Sequence, residues 1–154
     1  MRVLGLAVDY NKRPTLRAVL LDRSEADQSI HLETKFEVPA SDGDDLATQL
    51  NELATAISAR VSSLKPDAVI LRRADRPARP SNQDGPRFRL MAEGAVVSAV
   101  RAIVQDTFVR NGKECGQAFG ADKAGVDAAA AKHVTAAMVP ACAAALSGLA
   151  KLPQ

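Results

Sequence analysis

The chain is 154 residues long, 47% hydrophobic and 25% charged, the size and make-up of one globular domain rather than of a disordered segment. Aromatic residues make up only 3%, so the core must be built from Leu, Val, Ile and Ala, and a nucleic-acid platform that stacks bases on rings is disfavoured. A net charge of +2 permits nucleic-acid binding without indicating it, which leaves the distribution of charge to decide.

The first element is an apolar strand, Val3, Leu4, Leu6 and Val8, that closes on Asp9. A carboxylate at the end of a buried strand suits a metal or phosphate site; it also suits the start of an Asx turn into Asn11. After the polar corner 11–14, Leu16, Ala18, Val19, Leu20 and Leu21 form a second strand. Residues 22–28 read as a hairpin loop. Ile30, Leu32, Thr34, Phe36 and Val38 then alternate with polar residues, the period of a strand wet on one face.

Ser41 or Asp42 is placed to cap a helix, with Asp44 and Asp45 in its first turn. Leu46, Leu50, Leu53, Ile57, Val61 and Leu64 recur at three- and four-residue steps, and Lys65-Pro66 ends the run. Residues 67–71 form a short unalternating strand, as expected of one covered on both faces. Residues 72–86 read as a loop, about 87–105 as a second helix, and 107–109 as a short strand. The remainder, 113–152, is Ala-rich and helical with breaks near Gly120, Gly125 and Pro140.

Cys115 and Cys142 lack metal-ligand spacing and read as structural thiols, and His31 and His133 have no nearby ligand partners. No signal-like pattern opens the chain, and no stretch approaches the roughly 18 apolar residues of a membrane span. A soluble, cytoplasmic protein with no membrane partner is expected. The run 120–125 lacks the spacing of a phosphate-binding P-loop.

Three strands, helix, strand, helix, short strand and helices make an α/β protein. They predict a mixed five-stranded sheet, a three-strand meander followed by helix-strand crossovers, with helices on its faces and one domain over residues 1–154. This element order resembles the ribonuclease H-like arrangement. Residues 2–10 look like the opening strand of its RuvC-like branch, 65–71 like the lead into the fourth strand, and 88–100 like the following helix. The resemblance implies a nuclease in which carboxylates hold two divalent cations, Mg²⁺ or Mn²⁺.

The acids of that resemblance fall unevenly here. A gapless match puts Ala7 where the first acid belongs, whereas a YqgF-like register puts Asp9 there. The fourth strand ends in Leu71-Arg72-Arg73 where the family places a Glu, and Asp75 is the nearest acid. Residues 126–131 resemble a YqgF-like run that makes Asp127 the third acid. If active, the chain would use Asp9, Asp127 and Asp75 as catalytic acids, with Asp9 and Asp127 on the metal. Asp75, beside Arg73 and Arg76, also suits an ion pair, and Asp127 also suits the first turn of a helix.

Residues 72–89 hold six arginines against two acids, with three prolines and no lysine. Arg72, Arg73, Arg76, Arg79, Arg87 and Arg89 would lie along a DNA or RNA backbone, each planar fork matching phosphate oxygens in pairs. Lys12 and Arg13 would extend that surface. The first reading is therefore a RuvC-like protein that contacts nucleic acid through a basic edge, its metal site lost or rearranged: a pseudo-nuclease with no certain cofactor. The rivals are an active metal-dependent nuclease or resolvase, and an interaction module whose arginine loop docks an acidic protein. Cys142, Ala145, Leu146 and Leu149 could supply a homodimer face on the C-terminal helices, and core packing explains them equally well.

Overall fold

The computed structural model describes residues 1–43, 45–75 and 83–152; the expectations at Asp44, Arg76 and Arg79 fall outside them. Strands β1 (Arg2–Asn11), β2 (Arg13–Arg23), β3 (Ile30–Pro39), β4 (Ala68–Arg72) and β5 (Thr107–Arg110) form one sheet in the order β3-β2-β1-β4-β5. β1, β2 and β3 are the expected antiparallel meander, and β4 runs parallel to both β1 and β5. The strand around Val69 therefore sits beside the first strand, as the element order requires.

Alternation along the strands sorts their side chains onto two cores. Leu4, Leu6, Val8, Leu16, Ala18, Leu20, Val69 and Leu71 face helices α1 (Leu46–Leu64) and α2 (Asp84–Arg101). Val3, Ala7, Val19, Leu21, Ala68 and Ile70 face the opposite way. They meet α3 (Gly112–Phe119), α4 (Lys123–Ala130) and α5 (Val139–Ala150). Both faces of β1 are thus dry, which is why its sequence is an almost unbroken apolar run. Among the described residues no helix is long and apolar enough to cross a membrane.

Several boundaries differ from the sequence expectation for local reasons. The cap of α1 is Asp45, whose carboxylate accepts from Thr48 N at 2.9 Å, rather than Ser41 or Asp42. Ser41 instead donates to Glu52. Helix α2 starts at Asp84 and ends at Arg101, beginning earlier and stopping sooner than expected. Gly120 does end α3, in the left-handed conformation at φ 85°. Gly125 does not break the chain, because it lies inside α4, and Pro140 starts α5 rather than interrupting a helix, since a proline in the first turn has no N–H to lose.

The Ala-rich C-terminal segment is explained by how closely α5 lies on the sheet. A Cβ on Gly5 would stand 1.9 Å from Ala141 O and 2.5 Å from Ala145 N, so β1 and the α5 backbone touch with nothing between them. Gly148 likewise leaves room for Val3 and Ile70. Cys142, Ala145, Leu146 and Leu149 are buried in that contact. Of the two readings open for these residues, core packing is the one they serve here, since they fit the helix to its own sheet.

Candidate nucleic-acid interface

Strand register gathers the charged residues at the end of β1. Ala7 pairs with Arg17 of β2 on one side and with Arg72 of β4 on the other. Arg17 in turn pairs with Glu37 of β3, and Arg72 with Arg110 of β5. Ala7, Arg17, Arg72 and Arg110 share the face that carries Val3, Val19, Ile70 and Phe108, the α5 side. One transverse row therefore reads Glu37, Arg17, Ala7, Arg72, Arg110 across all five strands.

Each arginine of the row has its own acceptors. Arg72, buried, reaches α4 and binds Asp127 at 2.5 and 3.3 Å through its two terminal nitrogens. Burial opposes its charge, but the Asp127 hydrogen bond and charge outweigh burial, so the guanidinium is raised above its ordinary value. Arg17 donates to Asp9 Oδ2 at 2.9 Å and to Glu37 Oε1 at 3.0 Å. Arg110 is equally buried and meets no carboxylate among the described residues. It donates to Ser147 Oγ at 2.9 Å and to the Lys151 carbonyl at 2.6 Å, at the C-terminal end of α5 where the helix dipole is negative. Burial alone pulls the Arg110 value down.

The three acids proposed from sequence do not share a site. Asp9 is held below the usual carboxylate range first by Arg17, then by the Tyr10 N–H. Asp127 belongs to Arg72. Asp75 pairs with Lys123 and accepts from Gly112 N at 3.3 Å, and Lys123 lowers its value most. Its partner among the described residues is thus Lys123 and not Arg73; Arg76, the other arginine expected from sequence, lies outside them. Among the described residues no group of three His, Cys, Asp or Glu side chains could hold a metal. A methyl group at Ala7 beside a guanidinium at Arg72 does not fit a two-cation cradle, which needs several converging negative charges.

The basic residues divide. Arg72 is the last residue of β4 and is buried, so it leaves the expected phosphate surface and becomes a structural cation. Arg73 is half-buried, and Arg87 is exposed near the start of α2. Lys12 is exposed at the tip of the β1–β2 hairpin with φ 65°, and Arg13 beside it is half-buried. Tyr10 meets Phe88 edge-on at 5.8 Å, tying the end of β1 to the first turns of α2. That contact brings Arg89 over β1, where it helps to lower Asp9.

Glu93 anchors the other side. Almost fully buried, it accepts from Ala74 N at 2.8 Å and lies 3.4 Å from Arg89 Nε. The latter geometry is an ion pair and not a hydrogen bond, for Arg89 Nε is buried without a hydrogen-bond partner. Burial pushes the Glu93 carboxyl up. The sequence reading missed Glu93, whose signal was its spacing of four from Arg89, and Arg17, an isolated charge inside an apolar strand. Arg110 gave no signal short of the register itself.

Between the end of β1, α2 and the start of α5 lies an open cleft of about 310 Å³ bordered by Ala7, Asp9, Arg17, Arg89, Ala137 and Pro140.

No protein-family model and no curated protein sequence matches the chain. Its fold is that of solved resolvases. Thermus thermophilus RuvC superposes with a TM-score of 0.72 at 16% identity, covering 96% of this chain and 92% of that one. T. thermophilus RuvC in complex with Holliday junction substrate gives 0.69 at 18% identity, covering 96% and 91%. The yeast mitochondrial Holliday junction resolvase gives 0.57 at 11% identity, covering 96% and 77%. The chain therefore has the RuvC-like form of the ribonuclease H-like fold, as its element order implies.

Proposed function

We propose that this chain is a RuvC-like nucleic-acid-binding protein that grips a DNA backbone with arginines and does not cut it by two-metal chemistry. The observation that carries this reading is the transverse row in which Ala7 lies between Arg17 and Arg72. Two-metal cleavage needs carboxylates to gather both ions about 4 Å apart. Here that level of the sheet carries guanidinium groups, whose positive charge repels metal ions.

Branched DNA is the first ligand to test, because one structure of this fold is a complex with Holliday junction substrate. Arg73, Arg76, Arg79 and Arg87, with Lys12 and Arg13, would supply contacts to phosphates that are indifferent to sequence. The β1–β2 hairpin and the start of α2 are joined by Tyr10 and Phe88, which supports one continuous basic edge.

The test is fluorescence anisotropy on four-way-junction, duplex and single-stranded DNA, with Mg²⁺, with Mn²⁺ and with EDTA, each sample then run on a denaturing gel. Binding that survives EDTA, with strands left intact in every metal, is the expected result. Metal-dependent cleavage abolished by Asp9→Asn would instead establish the active nuclease. Absence of DNA binding at low salt, with capture of an acidic polypeptide such as poly-glutamate, would favour the interaction module.

A further inference from the structure

We infer that the cleft over Ala7 binds a single backbone phosphate through Arg17 and Arg89 without a metal ion, and that Asp9 occupies the phosphate position until it is displaced. The inference rests on the nucleic-acid reading above and names what its central site holds.

The cleft is shaped for this by small residues. Ala7 forms its floor and Ala137 and Pro140 its far wall, leaving about 310 Å³ open between β1, α2 and the start of α5. That is room for a phosphate and several waters, since each water takes about 30 Å³. A carboxylate at position 7 would fill this floor with the wrong charge; a methyl group leaves it neutral.

Two guanidinium groups meet there with donors to spare. Arg17 uses Nη1 on Asp9 and Nε on Glu37, two of its five N–H donors being engaged by carboxylates. Arg89 pairs with Glu93 through its buried Nε at 3.4 Å, and among the described residues its two terminal nitrogens make no hydrogen bond. The charges that face the cleft are Arg17, Arg89 and Asp9. Behind them stand Glu37, which pins Arg17, and Glu93, which lies 3.4 Å from Arg89. With Asp9 in place the cleft is electrostatically closed.

Asp9 is the member free to leave. Its side chain is 55% exposed, whereas Arg17 is 19% exposed and held on its other side by Glu37. Exposed ion pairs contribute about 1 kcal/mol at most, so a ligand offering a doubly bonded fork to Arg17 and a contact to Arg89 can take its place. The carboxylate that one register of the resemblance offers as a metal ligand thus acts here as an internal competitor. This role has a sign opposite to ligation: removing a metal ligand weakens the site, whereas removing a competitor strengthens it.

The experiment is a titration of ¹⁵N-labelled protein with inorganic phosphate in EDTA, followed by amide spectra of wild type, Asp9→Asn, Arg89→Gln and Ala137→Glu. Expected shifts cluster on residues 7–10 and 136–141. Asp9→Asn should tighten phosphate about two- to fivefold, the scale of an exposed ion pair, and Arg89→Gln should weaken it about tenfold. Ala137→Glu lies at an exposed position and should weaken binding even if Arg89→Gln fails to fold. Unchanged or weaker binding in Asp9→Asn, shifts centred on Arg73 and Lys113, or a requirement for Mg²⁺ would each overturn the inference. Wild-type DNA binding with phosphate absent from the cleft refutes this site alone; loss of DNA binding altogether refutes the reading beneath it.

Discussion

Ala7 and Arg72 are direct neighbours across the parallel β1–β4 pair, and both point to the α5 face. A methyl group and a buried guanidinium thus stand side by side at this level of the sheet, with no carboxylate at either position. The Arg72 charge turns away from its neighbour to Asp127 on α4. The one acid that α4 contributes near this row is consequently neutralised by the protein itself.

Reversing both positions should create what the row lacks. Ala7→Asp alone is expected to form an ion pair with Arg72 and to bind no metal. Ala7→Asp with Arg72→Glu would free Asp127 and bring three carboxylates to one level, and Mn²⁺ binding on the order of millimolar is expected. Calorimetric titration with Mn²⁺ checks this. Equal affinity in the single and double variants would show that Arg72 is not what keeps the cation out.

The Arg72–Asp127 pair should be worth more to stability than the surface pairs. Arg72 is 8% exposed and Asp127 29%, so Asp127→Ala leaves a buried cation without its acceptor. A loss of about 2–3 kcal/mol is expected, below the ~3–5 kcal/mol of a fully buried pair because Asp127 is partly wet. Arg72→Met combined with Asp127→Ala should recover part of that loss. Urea denaturation of wild type, the two single variants and the double variant measures it, and additive losses in the double variant would exclude the coupling.

Stability should depend on pH in two opposite ways. Glu93 is raised above its ordinary 4.5 by burial, so the folded state holds that proton more tightly than the unfolded chain does. Its contribution is therefore greatest below about 4.5 and declines as pH rises towards the folded value. Asp9 and Asp75 are lowered from 3.8 by Arg17 and Lys123; their stabilisation is present above that value and disappears as pH falls through the folded ones. Glu93→Gln should flatten the stability curve just above pH 4.5 and leave the acid limb unchanged. Thermal melts across pH 3 to 7 test this, and a variant curve parallel to wild type throughout would contradict it.

The closest backbone contact gives a steric prediction. Gly5→Ala would place a methyl 1.9 Å from the Ala141 carbonyl oxygen, and neither a central strand nor the helix packed on it can shift cheaply. Destabilisation of about 3 kcal/mol or more is expected, at or beyond the upper end for overpacking. Gly94→Ala, on α2 with no atom within 4 Å of the added Cβ, should stabilise by about 0.5–1 kcal/mol through helix propensity. Denaturation midpoints of the two variants should move in opposite directions.

Element order was legible because hydrophobic period is local: the unbroken runs of β1 and β4 and the alternation of β3 each report how many faces are dry. That positions 7 and 72 carry no acid is read directly off the sequence, whereas the expectation of acids there is what the resemblance implies. Partner choice was not legible. Asp75 lies two residues from Arg73 in sequence yet pairs with Lys123, and Asp127 pairs with Arg72 fifty-five positions away. Those choices depend on how α3 and α4 dock on the sheet, which no short window contains. The C-terminal alanines gave a similar ambiguity, since small residues permit close approach to any helix or sheet, and only the Gly5 contact identifies which surface they meet.

The salt dependence of DNA binding should separate the arginines that reach phosphate from those that hold the fold. Arg87 is exposed, and Arg76 and Arg79 belong to the same six-arginine segment; Arg72 and Arg110 are buried with acceptors of their own. Replacing Arg76 and Arg79 with Ala should weaken binding about equally on unrelated DNA sequences. Each lost contact should reduce the slope of log affinity against log salt by roughly 0.9 on duplex and roughly 0.7 on single strands. Arg87→Ala should subtract one further contact of the same size. Arg110→Ala should lower the denaturation midpoint instead, since it removes the cation at the C-terminal end of α5, and folded protein carrying it should keep the wild-type slope. Anisotropy titrations at four salt concentrations give every slope. Wild-type slopes in both the Arg76/Arg79 and Arg87 variants would move the phosphate path away from this segment, to Lys12, Arg13 and Lys113.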